Sequence, residues 1–256
     1  MVLDLNSVSK NFSGLAALTD VSFDVKNSVI KGIIGPNGAG KTTLFNIITG
    51  VFPPSKGTIN FDGNDISHKR SDEIAKLGVS RTFQQTYLFK TLTVLENVML
   101  GRHYRTRSEF FACGLRLPGA RREEKLIREQ AMECLDMIGL AGKKDRIANK
   151  LPMGEQRYLE VARALATEPR LLILDEPTAG LNEFERDDFL NLVFKIRDMG
   201  ITILVVEHHM KFIMKVCSEL VVLNFGEKIA EGTPDEIQNS PKVIEAYLGV
   251  EEDIDY

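Results

Sequence analysis

The feature that most constrains the fold of this chain is a glycine-rich segment, GPNGAGKT, which runs from Gly35 to Thr42. It follows the apolar run Val29 to Ile34, which predicts a strand, and leads into a predicted helix from Thr42 to Thr49. The pattern G-x-x-x-x-G-K-[ST] between a strand and a helix is typical of a loop that binds a triphosphate. Its glycines let backbone N–H groups converge on the phosphates, and the helix adds the positive end of its dipole. The segment therefore predicts an α/β fold with a nucleotide site.

A second predicted element of this site is a pair of carboxylates after a buried strand. The apolar run Leu171 to Leu174 ends in Asp175 and Glu176, at the sheet edge where α/β folds bind ligands. Asp175 and the hydroxyl of Thr42 are predicted to hold Mg²⁺, whereas Glu176 is predicted to polarise the attacking water. Lys41 is predicted to supply a mobile positive charge for the outer phosphates.

The remaining pattern predicts a mostly parallel sheet with an insertion. The strand at 171–174 is followed by an amphipathic helix that closes at Gly200 and by the buried strand Ile201 to Val206. This order implies a right-handed crossover between parallel strands, with helices on the faces of the sheet. From Val94 to Asn149 the pattern is helical and charged, which predicts an inserted helical subdomain.

Composition narrows the function classes. The chain has 256 residues of ordinary globular composition, and its formal net charge of −4 argues against a dedicated nucleic-acid binder. No stretch approaches the roughly 18 apolar residues that a membrane-spanning helix needs. Residues 1–21 lack a signal pattern, which predicts a cytoplasmic location. Cys113, Cys134 and Cys217 lie too far apart to indicate a disulfide framework or a zinc site, so packing roles are predicted.

With these motifs in place, the sequence resembles the ATP-binding-cassette family across nearly its whole length. The further matches are Phe12 for an adenine-stacking aromatic, Gln84 for the Q-loop, Leu151 to Arg157 for the signature, Ala179 to Asn182 for the D-loop, and His208 for the switch histidine. The resemblance implies a P-loop NTPase fold of the RecA-like type, an α/β core with an antiparallel β subdomain and an inserted α-helical subdomain. It implies one domain, in which residues 1–90 and 155–256 form the core with the β subdomain. The helical subdomain, at about 91–154, carries the signature.

The resemblance also implies the site residues, with ATP and Mg²⁺ as cofactors. The implied catalytic residues are Glu176, His208, Gln84 and Lys41, and the implied magnesium ligands are Thr42, Gln84 and Asp175. The implied nucleotide contacts are Phe12, Gly35, Pro36, Asn37, Gly38, Ala39, Gly40, Lys41, Thr42, Thr43, Gln84, Asp175 and His208, together with Pro152, Met153, Gly154 and Glu155 of the opposite subunit.

The signature segment departs from the family pattern Leu-Ser-Gly-Gly-Gln. In the family this segment aims a helix N-terminus at the outer phosphate of ATP held by a second copy. Here Pro152 replaces the hydroxyl donor and has no backbone N–H, so the contact rests on the helix dipole and the amides around Gly154. A weaker grip on phosphate is expected, and the following helix is predicted to run from Tyr158 to Thr167.

Among cassette proteins, the sequence resembles the ATPase subunits of branched-chain amino acid importers. The similarity rests on the segments 35–45, 81–84, 88–89, 93–97, 232–237 and 246–249, and on a signature that begins Leu-Pro. It implies an ATP-hydrolysing subunit, in a homo- or heterodimer with a second ATPase, bound to two membrane-spanning permease subunits on the cytoplasmic face of the inner membrane. An external solute-binding protein would be an indirect partner, and no nucleic acid is implied. The alternatives are an ATPase of the lipopolysaccharide-export type and a soluble cassette ATPase.

Two other classes of protein, a GTPase and a catalytically inactive module, do not fit the motifs. A GTPase would need Asn-Lys-x-Asp, and the segment 149–152 ends in proline instead. A catalytically dead module is disfavoured because Lys41, Asp175, Glu176 and His208 are all present. The arginine-rich segment 103–125 is either a solvated loop or a contact for the permease or for lipid head groups.

Overall fold

The computed structural model describes residues 1–82, 88–102 and 118–248. The strands are β1 Leu3–Phe12, β2 Leu15–Val25, β3 Ile30–Ile34, β4 Lys56–Phe61, β5 Asn64–Asp65, β6 Val79–Arg81, β7 Leu171–Asp175, β8 Thr202–Val206, β9 Glu219–Asn224 and β10 Glu227–Gly232. The helices are α1 Lys41–Ile48, α2 Ser71–Leu77, α3 Val94–Arg102, α4 Pro118–Met137, α5 Met153–Leu165, α6 Glu183–Asp198, α7 Met210–Val216, α8 Pro234–Gln238 and α9 Pro241–Leu248.

The larger sheet has the strand order β10-β9-β3-β8-β7-β6. Its pairs are parallel from β9 to β6, and β10 adds an antiparallel edge. Every residue of β3, β7 and β8 is buried, and alternate residues pack into cores on opposite faces of the sheet. This explains their continuous apolar runs, because neither face of these strands meets water. The parallel arrangement brings the carboxyl ends of the three strands to one edge.

The smaller sheet is antiparallel, with the order β2-β1-β4-β5. Its apolar side chains pack with those of α1 against one face of the larger sheet, and α3, α5 and α6 contribute to the core on the other face. The two sheets and the helical insertion confirm the predicted α/β P-loop architecture. In the described part of the chain, no helix is both long and apolar enough to cross a bilayer.

The predicted start of one helix was wrong. The helix predicted from Tyr158 begins instead at Met153. Pro152 occupies the N-cap, where its ring fixes φ at −52°. Glu155 lies in the first turn, where a negative charge interacts favourably with the helix dipole. β1 extends as far as Phe12, because its polar end pairs with β2 through a tight hairpin. Ser13 and Gly14 in that hairpin both have positive φ, at 42° and 99°, as a type I′ turn requires.

At the edge of the larger sheet opposite to the phosphate-loop motif, three partly exposed charged residues surround the buried Lys31. The ammonium of Lys31 is 1% exposed and lies 2.5 Å from Glu231 and 3.2 Å from Glu219. Glu219 accepts through its other oxygen from Lys26, at 2.9 Å. Hydrogen bonds from Lys26 lower the pKa of Glu219. The partners explain why β3 tolerates a charged residue among buried apolar ones.

The cysteines that the structure describes have packing roles. Cys217 is buried and Cys134 packs against the larger core, as predicted. Burial raises the pKa of Cys134 to about 11. Cys113 lies outside the described residues.

Candidate functional site

The phosphate-loop motif connects the end of β3 to the start of α1 and needs glycine at two positions. A Cβ atom on Gly35 would lie 2.1 Å from the carbonyl oxygen of Leu223, and one on Gly40 would lie 2.7 Å from that of Ala17. Gly40 is also the N-cap of α1, with φ at 100°. Only glycine adopts this conformation so close to neighbouring backbone without strain. The lack of side chains at these two positions therefore allows the loop to approach the backbone of β2 and β9 closely.

Lys41 begins α1 and turns back over the loop. Its Nζ donates to the carbonyl oxygens of Gly35, at 2.7 Å, and Pro36, at 2.9 Å. Burial lowers its pKa from the usual value, while the carboxylates of Glu176 and Asp175 oppose that shift. The ammonium is thus held at the mouth of the loop by two neutral acceptors, which a more negative ligand can replace.

Glu176 and His208 meet where two neighbouring strands end. β7 and β8 are paired up to Asp175 and Val206, and the backbone N–H of Glu176 extends this ladder to the carbonyl oxygen of Val206 at 2.9 Å. Glu176 Oε1 lies 2.8 Å from His208 Nε2. Glu176 has φ at 47°, a conformation that costs a non-glycine residue about 1–3 kcal/mol and that often marks functional sites.

Asp175, one residue earlier, faces a different partner. Its Oδ2 accepts from the guanidinium of Arg81 at 2.7 Å, and both side chains are more than nine-tenths buried. Arg81 also donates to Asn46 Oδ1 at 2.7 Å and lies over the ring of Phe45, so it ties β7 to α1. The sequence identified Arg81 only as part of a family segment. Its partnership with Asp175 was missed, because nothing in a three-residue strand signals an ion pair.

One cavity of about 630 Å³ collects most of the predicted nucleotide contacts. Those that line it are Phe12, Asn37, Gly38, Ala39, Gly40, Lys41, Thr42, Thr43 and His208, and the predicted catalytic residue Glu176 lines it as well. Gly35, Pro36 and Asp175 do not line the cavity. The carbonyl oxygens of Gly35 and Pro36 accept hydrogen bonds from the cavity-lining Lys41. Gln84 lies outside the described residues. The cavity combines backbone amides, a lysine, two hydroxyls, a carboxylate and an imidazole, which is a set suited to a polyphosphate.

The comparisons with known proteins agree with this geometry. A family model described as "ABC transporter" matches residues 18–179, which include the phosphate loop, the signature segment and the Asp175–Glu176 pair. The chain belongs to the ABC transporter family. It is an ATP-binding and ATP-hydrolysing subunit, and the structure shows its cassette fold. A second model, described as a branched-chain amino acid ATP-binding cassette transporter, matches residues 227–253.

Individual relatives of the cassette match more than nine-tenths of the chain. It is 41% identical to the high-affinity branched-chain amino acid transport ATP-binding protein BraF of Pseudomonas aeruginosa, over 97% of this chain and 98% of that protein. A nucleotide-free cassette from an ABC transporter superposes with a TM-score of 0.85 at 34% identity, covering 97% and 99% of the two chains. A dimeric post-hydrolysis cassette bound to ADP and Pi has a TM-score of 0.77 at 28% identity, covering 91% and 98%.

The signature segment of the cassette lies away from its own phosphate cavity. Pro152, Met153, Gly154 and Glu155 do not line that cavity, whereas Gly154 and Glu155 line a separate groove of about 480 Å³ beside α6. Glu155 accepts from Lys143 at 2.6 Å, and Met153 packs against Gly180 of the D-loop. Pro152 provides no side-chain cap for α5. One chain therefore brings together only part of the predicted set of nucleotide contacts.

Two further aromatic features of the cassette border the cavity. Phe12 is 41% exposed and packs edge-on against Phe52, with ring centroids 5.2 Å apart, while Lys10 lies over both rings. This support leaves Phe12 available at the cavity for a planar base. Phe225, at the β9–β10 turn, also lines the cavity and is 87% exposed. Sequence reasoning missed Phe225, because a lone aromatic in a turn carries no motif.

Proposed function

We propose that this cassette hydrolyses Mg-ATP to drive an importer of branched-chain amino acids. The observation that carries the catalytic part is the 2.8 Å contact between Glu176 and His208 at the wall of the phosphate cavity. The substrate class is supported by the match of residues 227–253 to a branched-chain amino acid cassette model and by the similarity to BraF.

The chain's residues divide the work of ATP binding as follows. Backbone amides from Gly38 to Thr43 and the N-terminus of α1 surround the β- and γ-phosphates, because all residues of this stretch line the cavity. Lys41 exchanges the carbonyl oxygens of Gly35 and Pro36 for phosphate oxygens, which form stronger charge-assisted bonds. Phe12 stacks on the adenine ring.

The oxygen donors of the chain fit a magnesium ion. Mg²⁺ prefers oxygen ligands and is usually held by one or two carboxylates together with substrate phosphates and water. Thr42 is exposed and lines the cavity, and Asp175, one residue before the cavity-lining Glu176, has a carboxylate with one oxygen held by Arg81. We assign Thr42 and Asp175 to this ion, with Gln84 as a third ligand expected from the sequence. When bound, the ion neutralises charge on the phosphates.

Hydrolysis needs a water molecule held in line with the γ-phosphate. Glu176 accepts a proton from this water, and the imidazole of His208 contacts the same carboxylate and reaches the outer phosphate. Because phosphoryl transfer depends mainly on positioning and charge stabilisation, the fixed contact between these two side chains is the central element of the mechanism.

A second copy completes the site in this proposal. The start of α5, from Pro152 to Glu155, lies outside the cavity of its own chain, so a facing cassette presents it to the γ-phosphate. The similarity to a dimeric cassette bound to ADP and Pi supports this arrangement. The contact uses the dipole and amides of α5, because Pro152 supplies neither a hydroxyl nor an N–H.

Pro152→Ser is therefore expected to strengthen ATP-dependent dimerisation. One added hydrogen bond to a charged group is worth about 1.5–3 kcal/mol, so we expect the dimer to tighten roughly tenfold or more. Sedimentation equilibrium with ATP, in a hydrolysis-deficient background, measures the effect. Serine at an N-cap also stabilises its own helix by about 1 kcal/mol, so thermal unfolding without nucleotide is measured alongside.

Pro152→Ala is the matched control, because it removes the proline ring without adding a hydroxyl. The expected order of dimer affinity is serine above alanine and proline. Equal dimer affinity for the serine variant and the unchanged chain would contradict the assigned role of position 152.

The proposed partners are two membrane-spanning permease subunits, with a solute-binding protein outside the membrane as an indirect partner. The cassette then lies peripherally on the cytoplasmic face of the cell membrane. The arginine-rich segment 103–125 was predicted to be either a solvated loop or a contact for the permease or for lipid head groups. Its residues 103–117 lie outside the described part of the chain. Their role in docking stays a prediction.

Reconstitution tests the proposed function directly. The cassette is co-expressed with its neighbouring permease genes, and the complex is placed in liposomes with the solute-binding protein. We expect leucine, isoleucine or valine to stimulate ATP hydrolysis and to accumulate inside, and Glu176→Gln to abolish both. ATP hydrolysis that no branched-chain amino acid stimulates, but that lipopolysaccharide does, would favour the export alternative.

A further inference from the structure

Glu207, the residue between β8 and His208, is a buried carboxylate with two pairs of hydrogen-bond donors. Only 5% of the surface of this residue is exposed. Oε1 accepts from the backbone N–H of Thr178 at 3.0 Å and from the hydroxyl of the same residue. Oε2 accepts from the backbone N–H groups of His208 at 2.7 Å and His209 at 3.2 Å. Each oxygen therefore serves a different loop.

The four donors select for a carboxylate at this position. An ionised carboxylate only accepts hydrogen bonds, whereas a glutamine amide presents an NH₂ group on one side. That NH₂ would face two N–H groups, or an N–H and a hydroxyl, and would leave buried donors without acceptors. Burying a charge is costly unless it is fully hydrogen-bonded, so the arrangement is maintained by all four contacts together.

The two loops joined by Glu207 carry Glu176 and His208, which we call the reactive pair. Thr178 lies two residues after Glu176, whose positive φ must be maintained by its surroundings. The backbone N–H of His208 donates to Glu207, and the ring of His208 contacts Glu176 at 2.8 Å. The β7–β8 ladder ends at Glu176 N, and beyond that point the Glu207 side chain joins the two loops in addition to the contact between Glu176 and His208 themselves.

We propose that Glu207 is a positioning residue that keeps Glu176 and His208 in contact for hydrolysis. This inference rests on the proposed function of those two side chains. Glu207 acts through backbone and hydroxyl groups, and it is absent from the cavity wall, so it touches neither ATP nor the attacking water. It should therefore affect turnover without affecting nucleotide binding.

Glu207→Gln is the test variant. We expect its kcat for ATP to fall between about 10- and 100-fold, because small displacements of a catalytic group have effects of this size. ATP affinity, measured by calorimetry or with a fluorescent analogue, should stay unchanged, since the phosphate loop is not altered. In a His208→Ala background the same substitution should lower kcat by a clearly smaller factor, because the two residues act as a unit.

Glu219→Gln is the matched control. The two oxygens of Glu219 also accept from two different groups, Lys26 and Lys31, at the opposite edge of the sheet. Both glutamine variants should lower the unfolding temperature, but only Glu207→Gln should lower kcat. If Glu207→Gln does not fold, Thr178→Val replaces it, since it removes the hydroxyl donor and keeps the backbone N–H; a lowered kcat with unchanged ATP affinity is again expected.

The outcomes separate this inference from the proposed function. Three outcomes would each overturn the positioning role. They are a wild-type kcat in the Glu207 variant (or in the Thr178 variant where that one is used), a parallel loss of ATP affinity, and full additivity with His208→Ala. If instead Glu176→Gln and His208→Ala leave hydrolysis unchanged, the proposed function of the reactive pair fails first.

Discussion

Glu176→Gln is expected to lower ATP turnover by roughly 10²- to 10⁴-fold, because general-base catalysis contributes about that much. Glutamine has nearly the same shape, so the contact with His208 can persist while the proton acceptor is lost. ATP affinity should be maintained, since Lys41 and the loop amides are unchanged. The variant should therefore accumulate as an ATP-bound dimer, which size-exclusion chromatography and light scattering detect.

The control for this variant is Asp198→Asn, which changes an exposed carboxylate at the end of α6, outside both the phosphate cavity and the groove of the signature segment. It should hydrolyse ATP at the wild-type rate and form no stable dimer. A Glu176→Gln variant that turns over ATP normally would remove the general base from the mechanism. One that loses turnover but stays monomeric with ATP would leave the base in place and contradict the facing-dimer proposal.

Lys41→Ala is expected to weaken ATP binding by roughly 10- to 150-fold, which corresponds to the loss of about 1.5–3 kcal/mol from charged hydrogen bonds. Lys41 is the lysine of the phosphate cavity, and its ammonium already lies within 3 Å of the loop carbonyls. Calorimetric titration with Mg-ATP measures the change. Hydrolysis should fall with it, because the same charge stabilises the transferred phosphoryl group.

Two companion variants separate charge from bulk and from folding. Lys41→Met keeps most of the side-chain length and should lose as much affinity as the alanine variant. Lys215→Ala removes an exposed lysine outside the cavity and should bind ATP normally. Undiminished ATP affinity in Lys41→Ala would refute the assignment of the loop as the phosphate site, and with it the proposed mechanism.

The part of the site that the sequence predicted is the part built from short contiguous segments. GPNGAGKT between a strand and a helix already contains the glycines, the lysine and the hydroxyl, and the structure brings them to one cavity with Phe12, Glu176 and His208. The buried strands β7 and β8 were also predictable, because continuous apolar runs signal burial on both faces. The family resemblance supplied the order of the remaining motifs.

Other elements depend on contacts that no local pattern records. Arg81 and Asp175 are 94 positions apart, and Glu207 reaches Thr178 over 29 positions. His209, to which no motif assigns a role, is half-buried and caps α7 through Nδ1. The start of α5 at Met153 was missed because proline is compatible with the end of a loop and with an N-cap alike.

By itself, then, the sequence determined the family, the phosphate loop, the two acids and the core strands, since periodicity and turn chemistry act between near neighbours along the chain. Only the tertiary structure decided how these parts are held. It paired Asp175 with Arg81, linked the Glu176 and His208 loops through Glu207, and separated the signature segment from its own cavity. The physical reason is that buried charges and hydrogen bonds are satisfied by whichever groups folding brings within about 3 Å, and sequence separation does not limit that choice.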